Sequence, residues 1–426
     1  MASQASALRQ VDNLPPPPEL ASELRHLPGL IFLDSSSIDP ESQVNANARF
    51  SLITACPESI HEGSLFDSED RSKLQYLFHE NRRCDRTSPD LGFPVDGLYG
   101  YVTYEGEFTF GLYRECLIYD HHTETWMETG KLSEKRLPNA AIQVPNAEPE
   151  VLFRFESSPE AFCHLVQRAQ DYIASGDIYQ VNLAHRLVAD VDTRFDSFAL
   201  FERLRHQSPA PFSSFLSLGG REVVSSSPEQ FLSISGRTIQ TRPIKGTRPR
   251  FRDRELDEKS AYDLITSTKE IAELIMITDL ERNDLGQICE FGSVEATELL
   301  KLERFAQVFH LISTIEGTLR REIDHIAALH ACYPGGSITG APKKRAREII
   351  AELEPINRGL YTGSIGCFGF NGESRFSIAI RTVMREADQL HFHVGAGIVA
   401  DSVPEKEWEE TLHKAAGIFR ATQGSG

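Results

Sequence analysis

The stretch Gly395-Ala396-Gly397-Ile398-Val399-Ala400 decides between two folds for this chain. Its letters satisfy the pattern G-x-G-x-x-A, which in dinucleotide-binding proteins forms the turn from a strand into a helix within a βαβ unit. Here the glycines fall inside or at the end of a strand-like run, residues 390–400, and no long helix follows directly. We therefore reject a dinucleotide site. A strand whose glycines expose backbone N–H groups to a ligand carboxylate fits better.

The sequence on both sides of this stretch predicts helices and strands in alternation. After it, Pro404 is placed to begin a helix, because proline fits the first helical turn. Before it, residues 159–174 have helical periodicity that ends at Ser175-Gly176. Strand signals lie at residues 178–188, 212–218, 222–227, 231–235, 238–241, 361–370 and 376–384. We predict an α+β fold, with large mixed, mainly antiparallel sheets flanked by helices.

Three regions follow from the distribution of prolines and periodic segments. Residues 1–20 hold four consecutive prolines and predict a mobile or extended N-terminal arm. Residues 21–150 contain short strand signals that we expect to join the main fold, and a proline-containing linker within residues 134–150. Residues 151–426 form the predicted catalytic domain.

Composition excludes several classes of partner. The formal net charge of -18 argues against nucleic acid and anionic membranes, which are polyanions themselves. No apolar stretch approaches the ~20 residues that span a bilayer. Seven scattered cysteines without a C-x-x-C pair fit neither a disulfide framework nor a zinc site. We expect a soluble, cytoplasmic protein that binds any anionic substrate through a local basic pocket or a metal ion.

Lys245 lies in the run Thr241-Arg242-Pro243-Ile244-Lys245-Gly246-Thr247-Arg248-Pro249-Arg250. Considered alone, it is either a surface lysine in a basic turn or an amine held for chemistry. The proline on one side stiffens the backbone, and Gly246 lets a ligand approach closely. A lysine becomes a nucleophile only when its amine is unprotonated.

Three glutamates stand out on predicted helices. Apolar residues lie nearly all round a predicted buried helix, residues 260–284, and Glu273 lies among them. A buried carboxylate needs a cation, a metal ion or a strong donor as its partner, but a solvent-facing edge explains Glu273 equally well. Glu407 and Glu410, three residues apart, form either a solvated face or a pair directed at one ligand.

Eight motifs along the chain match a known family in order and spacing. They are Gly176-Asp177-Ile178-Tyr179-Gln180-Val181-Asn182-Leu183, Ser226-Ser227-Pro228-Glu229, Pro243-Ile244-Lys245-Gly246-Thr247, Asp279-Leu280-Glu281-Arg282-Asn283-Asp284-Leu285, Pro334-Gly335-Gly336-Ser337-Ile338-Thr339-Gly340-Ala341-Pro342-Lys343, Gly363-Ser364-Ile365-Gly366, Ile380-Arg381-Thr382 and Gly395-Ala396-Gly397-Ile398-Val399-Ala400-Asp401-Ser402. With them the chain resembles the chorismate-utilising enzymes, most closely their aminodeoxychorismate synthase component I branch. The resemblance is dense from residue 155 to 421 and implies an anthranilate synthase component I-like fold.

The resemblance implies a role for each motif residue. It implies Mg²⁺ as cofactor, held by Glu273 and Glu410, with Glu270 and Glu407 contributing through water. It implies that a substrate carboxylate meets Arg381 and the backbone of Gly395, Ala396 and Gly397. The other predicted substrate-binding residues are Tyr361, Thr339, Gly246 and Gln180. Glu229 matches the general acid that protonates the departing C4 hydroxyl. His310 matches a histidine that lines the ring, for which we expect an orienting role.

Two positions separate the branches of this family. Isochorismate and salicylate synthases resemble one another in a lysine base where this chain has Gln180, so water activation is not expected here. Anthranilate synthases read Pro-Ile-Ala-Gly-Thr where this chain carries Lys245. In the aminodeoxychorismate branch that lysine is thought to add to the ring at C2, after which ammonia adds at C4 and expels it.

The resemblance also implies partners. We expect chorismate and ammonia as substrates, a separate glutamine amidotransferase subunit (component II) as the ammonia source, and a separate aminodeoxychorismate lyase downstream toward 4-aminobenzoate and folate. The alternatives are anthranilate synthase component I and a non-catalytic amidotransferase-binding partner. Relatives often carry Leu-Leu-Glu-Ser, associated with tryptophan binding, near the amino terminus. This chain has Phe32-Leu33-Asp34-Ser35 instead, which puts such a site in doubt.

Overall fold

The computed structural model describes residues 8–35, 49–82, 91–137, 151–305 and 307–423. Their strands form one sheet of 12 strands and one of 10 strands. Every strand pairing in the described residues is antiparallel. The predicted α+β class and the mainly antiparallel character of the sheets are confirmed.

The first sheet draws on both ends of the chain. Its strands are β1 (Arg9–Val11), β2 (Ile31–Asp34), β3 (Phe50–Thr54), β7 (Cys116–Asp120), β8 (Thr125–Thr129), β9 (Arg154–Phe155), β10 (Gln180–Asp190), β11 (Phe212–Leu218), β12 (Arg221–Ser227), β18 (Gly340–Ala341), β21 (Thr382–Glu386) and β22 (Gln389–Ile398). Their order is β1-β8-β7-β3-β2-β11-β12-β21-β22-β10-β18, with β9 also paired to β10.

The second sheet is assembled in the same way. Its strands are β4 (Ser59–Ser64), β5 (Gly97–Val102), β6 (Glu107–Tyr113), β13 (Gln230–Ser235), β14 (Thr238–Arg242), β15 (Ile244–Pro249), β16 (Glu295–Arg304), β17 (Val308–Thr318), β19 (Ser364–Gly369) and β20 (Glu373–Ile378). Their order is β15-β17-β14-β13-β20-β19-β5-β6-β4, with β16 also paired to β17.

Helices flank the sheets. They are α1 (Pro17–Leu24), α2 (Ser68–Asn81), α3 (Pro159–Ala174), α4 (Ser197–Gln207), α5 (Arg254–Ile265), α6 (Thr268–Gly286), α7 (His325–Cys332), α8 (Lys343–Leu353) and α9 (Pro404–Thr422), together with a short 3-10 helix, Leu132–Lys135. Helix α3 has the predicted bounds, and Pro404 begins α9 as predicted. None of the described helices is long and apolar enough to cross a membrane.

The two sheets pack against each other through an apolar layer. Ile31 and Leu216 from the first sheet meet Tyr99 and Ile365 from the second, and all four are at most 2% exposed. Burial of such side chains contributes about 1.5–3 kcal/mol each. Strands from the amino-terminal third belong to both sheets, so this packing joins the two ends of the chain.

The amino-terminal segment differs from the predicted arm. Within residues 8–20, β1 pairs with β8, and Leu20 on α1 is fully buried. Pro17 begins that helix, where a missing N–H costs nothing. Residues 1–7 of the predicted arm and 138–150 of the predicted linker lie outside the described residues.

The long helix predicted over residues 260–284 is wrong, because two helices occupy this stretch. Helix α5 ends at Ile265, and Ser267 caps the start of α6 by accepting from the backbone of Glu270. The prediction of burial all round fails as well, since Ile275 is 47% exposed and Glu273 is half-buried. The apolar residues on several faces of this stretch suggested one continuous helix. Ser267 nevertheless caps a second helix, because a serine at the N-cap position favours a new helix start.

The strand predicted over residues 376–384 is also wrong. It consists of β20 in the second sheet and β21 in the first. The chain crosses between the sheets at Arg381, whose φ is +51°, a conformation that a residue with a side chain rarely adopts. Strand β22, by contrast, is a regular antiparallel strand that opposes Gly397 to Asn182 and Gly395 to Ala184. The rejection of a dinucleotide turn is thereby confirmed.

A buried ion pair ties the segments around β10 together. Arg358 is 1% exposed, and its Nη2 and Nε donate to the two carboxylate oxygens of Glu354 at 2.6 and 2.8 Å. The same guanidinium donates to the backbone oxygens of Asn182 and Ile338, at 2.7 and 3.2 Å. In return, Glu354 accepts from the backbone N–H of Ala184 at 2.9 Å.

We expect Arg358→Met to lower the free energy of unfolding by about 3–5 kcal/mol, because Glu354 would remain buried without its cation. Urea titration of both proteins measures this difference. The matched control is Arg254→Met, which breaks an ion pair of the same spacing between exposed side chains on α5. Its unfolding midpoint should stay at the wild-type value. If Arg358→Met unfolded at the same urea concentration as the wild type, the buried ion pair would not stabilise the fold.

Candidate active site

Strand β15 presents Lys245 at the edge of the second sheet. The pairing of β15 with β17 shifts between Lys245 and Thr247, so Gly246 forms a bulge, and its φ is +72°. A Cβ at Gly246 would lie 2.6 Å from Leu264 Cδ1 and 3.1 Å from Glu270 Oε2. Glycine is therefore required here both by the backbone conformation and by the close approach of α5 and α6.

Across the cleft, β10 and β22 of the first sheet face this lysine. A Cβ placed on Gly397 would lie 4.0 Å from Lys245 Nζ and 2.5 Å from Gln180 Nε2. Ala396, between the two glycines, is fully buried in the core. The missing side chains of Gly395 and Gly397 thus leave backbone open on the cleft side of β22. Gln180 Oε1 is buried and without a hydrogen-bond partner in the described residues.

Glu229 occupies the turn between β12 and β13 and is 5% exposed. Its backbone N–H donates to Ser227 Oγ at 3.3 Å, and its carbonyl accepts from Ile378 N–H at 3.1 Å, which fixes the turn. Burial raises the pKa of the carboxyl, and the charge of Lys245 opposes that rise in part. This is the environment in which a carboxylic acid keeps its proton near neutral pH.

His310 lies on β17 beside the bulge and is 3% exposed. Its Nδ1 lies 3.1 Å from Thr247 Oγ1 and 3.3 Å from the carbonyl oxygen of Gly246. Burial, together with the charge of Arg381, lowers the pKa of His310 to about 4. The imidazole is therefore neutral at pH 7, which fits the predicted orienting role better than a charged contact with substrate.

Arg381 forms no ion pair with any described residue, and burial lowers the pKa of its guanidinium. A guanidinium in this position has donors free for a planar anion. Tyr361, also buried, stacks on His393 with ring centroids 5.4 Å apart, and its hydroxyl oxygen would lie 2.8 Å from a Cβ on Gly395. Thr339 accepts at its carbonyl oxygen from Asn182 N–H at 2.8 Å.

Four carboxylates from α6 and α9 converge on Lys269. Its ammonium interacts electrostatically with Glu273, Glu407 and Glu410, and with Glu270 beside it. Burial raises the pKa of Glu270 and of Glu407. Burial also acts to raise the pKa of Glu410, but the Lys414 ammonium, 2.7 Å away, holds it below its ordinary value.

This donor set is made of carboxylate oxygens, which suit Mg²⁺. In the described residues, no three acidic, histidine or cysteine side chains stand close enough together to enclose an ion. Lys269 interacts with carboxylates of both helices, and Lys414 pairs with Glu410 on its own helix. The assignment of Glu270, Glu273, Glu407 and Glu410 as metal ligands therefore stays a prediction.

Three contributors to this cleft were missed by the sequence reasoning. Lys414 Nζ donates to the carbonyl oxygen of Gly395 at 2.9 Å and pairs with Glu410 one helical turn away. Its position four residues after Glu410 was a readable signal. Asn182 Oδ1 is buried without a described partner and would lie 3.0 Å from a Cβ on Gly395. Glu281 is the third, and only tertiary packing reveals it.

A separate, small cavity of about 60 Å³ lies between the sheets at Leu33, Asp34 and Ser35. The Asp34 carboxylate there already accepts from Arg205 Nε at 2.5 Å and from Ser51 Oγ at 3.1 Å. The segment that replaces Leu-Leu-Glu-Ser in this chain thus lines a pocket whose acidic group is engaged within the protein.

Known proteins of one family are similar to this chain over most of its length. A family model described as chorismate binding enzyme matches residues 53–420. Aminodeoxychorismate synthase component 1 of Bacillus subtilis is 38% identical over 332 residues, 74% of this chain and 70% of that protein. Anthranilate synthase component 1 of Methanothermobacter thermautotrophicus is 34% identical over 406 residues, 91% of this chain and 85% of that protein.

A solved structure extends the match to the fold. Anthranilate synthase component I from Streptococcus pneumoniae superposes with a TM-score of 0.75 at 29% identity, covering 90% of this chain and 94% of that chain. The family match spans most of the sequence. The chain belongs to the chorismate-binding enzyme family.

Proposed function

We propose that this enzyme aminates chorismate at C4 to 4-amino-4-deoxychorismate, as component I of an aminodeoxychorismate synthase. The observation that carries the proposal is the position of Lys245, whose amine faces the open backbone of Gly397 and interacts with buried Glu229. Members of both branches are similar to this chain, so overall similarity does not choose between them. A lysine at this position favours amination at C4.

The reaction follows from the roles of the side chains. Lys245, as the free amine, adds to ring carbon C2, and the double bond shifts as the C4–O bond breaks. Glu229 gives its proton to the departing hydroxyl, which leaves as water. Ammonia then attacks C4, and the C2–N bond to Lys245 breaks, which returns the free amine. The proton lost by the new C4 amine passes to the Glu229 carboxylate, so the enzyme ends as it began.

Binding of the substrate divides between two ends of the cleft. Arg381, which has no ion-pair partner in the described part of the chain, suits one carboxylate of chorismate, and the backbone of Gly395 and Gly397 would add N–H donors. Glu273 and Glu410, with Glu270 and Glu407, would hold Mg²⁺ at the other end. When bound, that ion supplies positive charge for the second carboxylate. Lys269 interacts electrostatically with these four glutamate carboxylates.

The ammonia source in this proposal is a separate glutamine amidotransferase subunit, and a separate lyase would carry the product on to 4-aminobenzoate for folate synthesis. In vitro, ammonium salts replace the subunit, because free ammonia is the nucleophile in the second step.

We expect the purified protein, given chorismate, Mg²⁺ and ammonium, to form a product that an added aminodeoxychorismate lyase converts to 4-aminobenzoate. Lys245→Ala should lower this rate by roughly 10³-fold or more, since the nucleophile is lost. Lys245→Arg should fail equally, because it keeps the charge but cannot form the adduct. The control Lys259→Ala alters an exposed lysine and should retain full activity. Anthranilate as the product would contradict the proposal.

We expect Glu229→Gln to lower kcat by about 10²–10⁴-fold, the usual contribution of a general acid. Because burial raises the pKa of Glu229, its acid form persists to higher pH than an exposed glutamate allows, and the rate should fall as pH rises through that raised value. Steady-state kinetics across pH measure both effects. If the mutant kept a wild-type alkaline limb, Glu229 would not be the acid.

We expect Glu273→Gln to raise the Mg²⁺ concentration for half-maximal activity by about tenfold or more, because one carboxylate ligand is lost. EDTA should abolish activity of the wild type, and added Mg²⁺ should restore it. Glu409→Gln, an exposed neighbour on α9, serves as the matched control and should follow the wild-type titration. Full activity in EDTA would contradict a magnesium site.

A further inference from the structure

Glu281 on α6 is a buried carboxyl outside the ion pairs of the described residues. It is 5% exposed, and its Oε2 accepts from Thr241 Oγ1 at 2.6 Å. One turn further along the same helix, Asp284 contacts the ammonium of Lys343. Glu281 forms no such ion pair with any described residue. Burial of a carboxyl without an ion-pair partner favours its neutral, protonated form.

The side chain of Glu281 touches two segments of the candidate active site. Thr241 ends the regular part of β14, four residues before Lys245. On another side lies Gly336, where an added Cβ would come within 3.5 Å of Glu281 Cγ. Gly336 belongs to the loop that leads to Thr339. A single carboxyl thus lies behind both the strand that carries the nucleophile and the loop beside the substrate.

Several charged and titratable groups act on this carboxyl. Burial raises the pKa of Glu281 to about 8, Thr241 opposes the rise, the charges of Glu229 and Asp284 add to it, and Lys343 on α8 opposes it. Cys332 of α7 is a further titratable neighbour. Glu229 in turn interacts with Lys245 and Lys414. Glu229 and Glu281 repel each other when both are ionised, so the state in which only one of the two carries a negative charge is favoured.

We propose that Glu281 is a positioning residue for the amination: as a neutral carboxylic acid, it holds the Lys245 strand against the Gly336 loop and leaves Glu229 as the one carboxyl of the pair that ionises. This inference rests on the proposed function, in which Glu229 is the general acid. Glu281 itself does not touch the substrate. Its contribution is to keep a second negative charge away from Glu229 while the C4–O bond breaks.

The test compares kcat/KM for chorismate across pH in wild type and Glu281→Gln, at a constant concentration of free ammonia. In the wild type, Glu281 should lose its proton above about pH 8, in addition to the proton that Glu229 loses. The slope of log(kcat/KM) against pH should therefore become steeper by one unit on the alkaline side. Glutamine keeps the acceptor for Thr241 but has no proton to lose, so its limb should keep the shallower slope. Asp279→Asn, an exposed acid on the same helix, should behave as wild type.

A second variant, Glu281→Met, distinguishes the loss of the hydrogen bond to Thr241 from the loss of the titratable proton. Glu281→Met removes the acceptor and should lower kcat by about tenfold or more at every pH with little change in KM, and Glu281→Gln should recover most of that loss. Alkaline limbs of equal slope in wild type and Glu281→Gln would overturn the inference, as would a wild-type kcat in Glu281→Met. A wild type that does not aminate chorismate would refute the proposed function itself.

Discussion

The buried ion pair between Arg358 and Glu354 is the interaction on which the cleft depends. Two charges removed from water are stable only when each finds nearly all of its hydrogen bonds inside the protein. Here those bonds reach the backbone of β10 and of the loop at Ile338, and the hydroxyl of Thr362. These segments carry Gln180, Thr339 and Tyr361. The requirement to satisfy one guanidinium therefore sets the spacing of three walls of the site.

The second constraint is electrostatic. The molecule has a net charge of -18, yet the substrate we propose is a dianion. Three cations supply positive charge locally, because Lys269, Lys414 and Arg381 lie in or beside the cleft. Interactions at a few ångströms in a partly desolvated cleft outweigh the field of distant surface carboxylates, which salt screens over about 8–10 Å.

Much of the architecture was readable from the sequence because it follows from short-range patterns. Alternation and turn residues predicted most strands, and the bounds of α3 and the start of α9 follow from a capping serine and a proline. The sequence patterns did not predict the break between two helices at Ser267 or the break between two strands at Arg381. At Arg381 the chain changes sheets with a positive φ, which only the surrounding structure enforces. The roles of the site residues came from motif resemblance, whereas Glu281 required tertiary contacts, since its partner Thr241 is 40 residues away.

The bulge at Gly246 also determines the chemical character of His310. A carbonyl oxygen can only accept, and the Thr247 hydroxyl, the other neighbour of Nδ1, is able to accept as well. This pair of contacts favours the tautomer that carries the proton on Nδ1 and leaves the lone pair on Nε2. With its low pKa, the ring does not gain a second proton near neutral pH. Nε2 is then a pure acceptor: it repels the oxygens of a carboxylate and attracts N–H or O–H groups. A one-residue irregularity in a strand thus biases this part of the cleft toward hydroxyl and amine ligands.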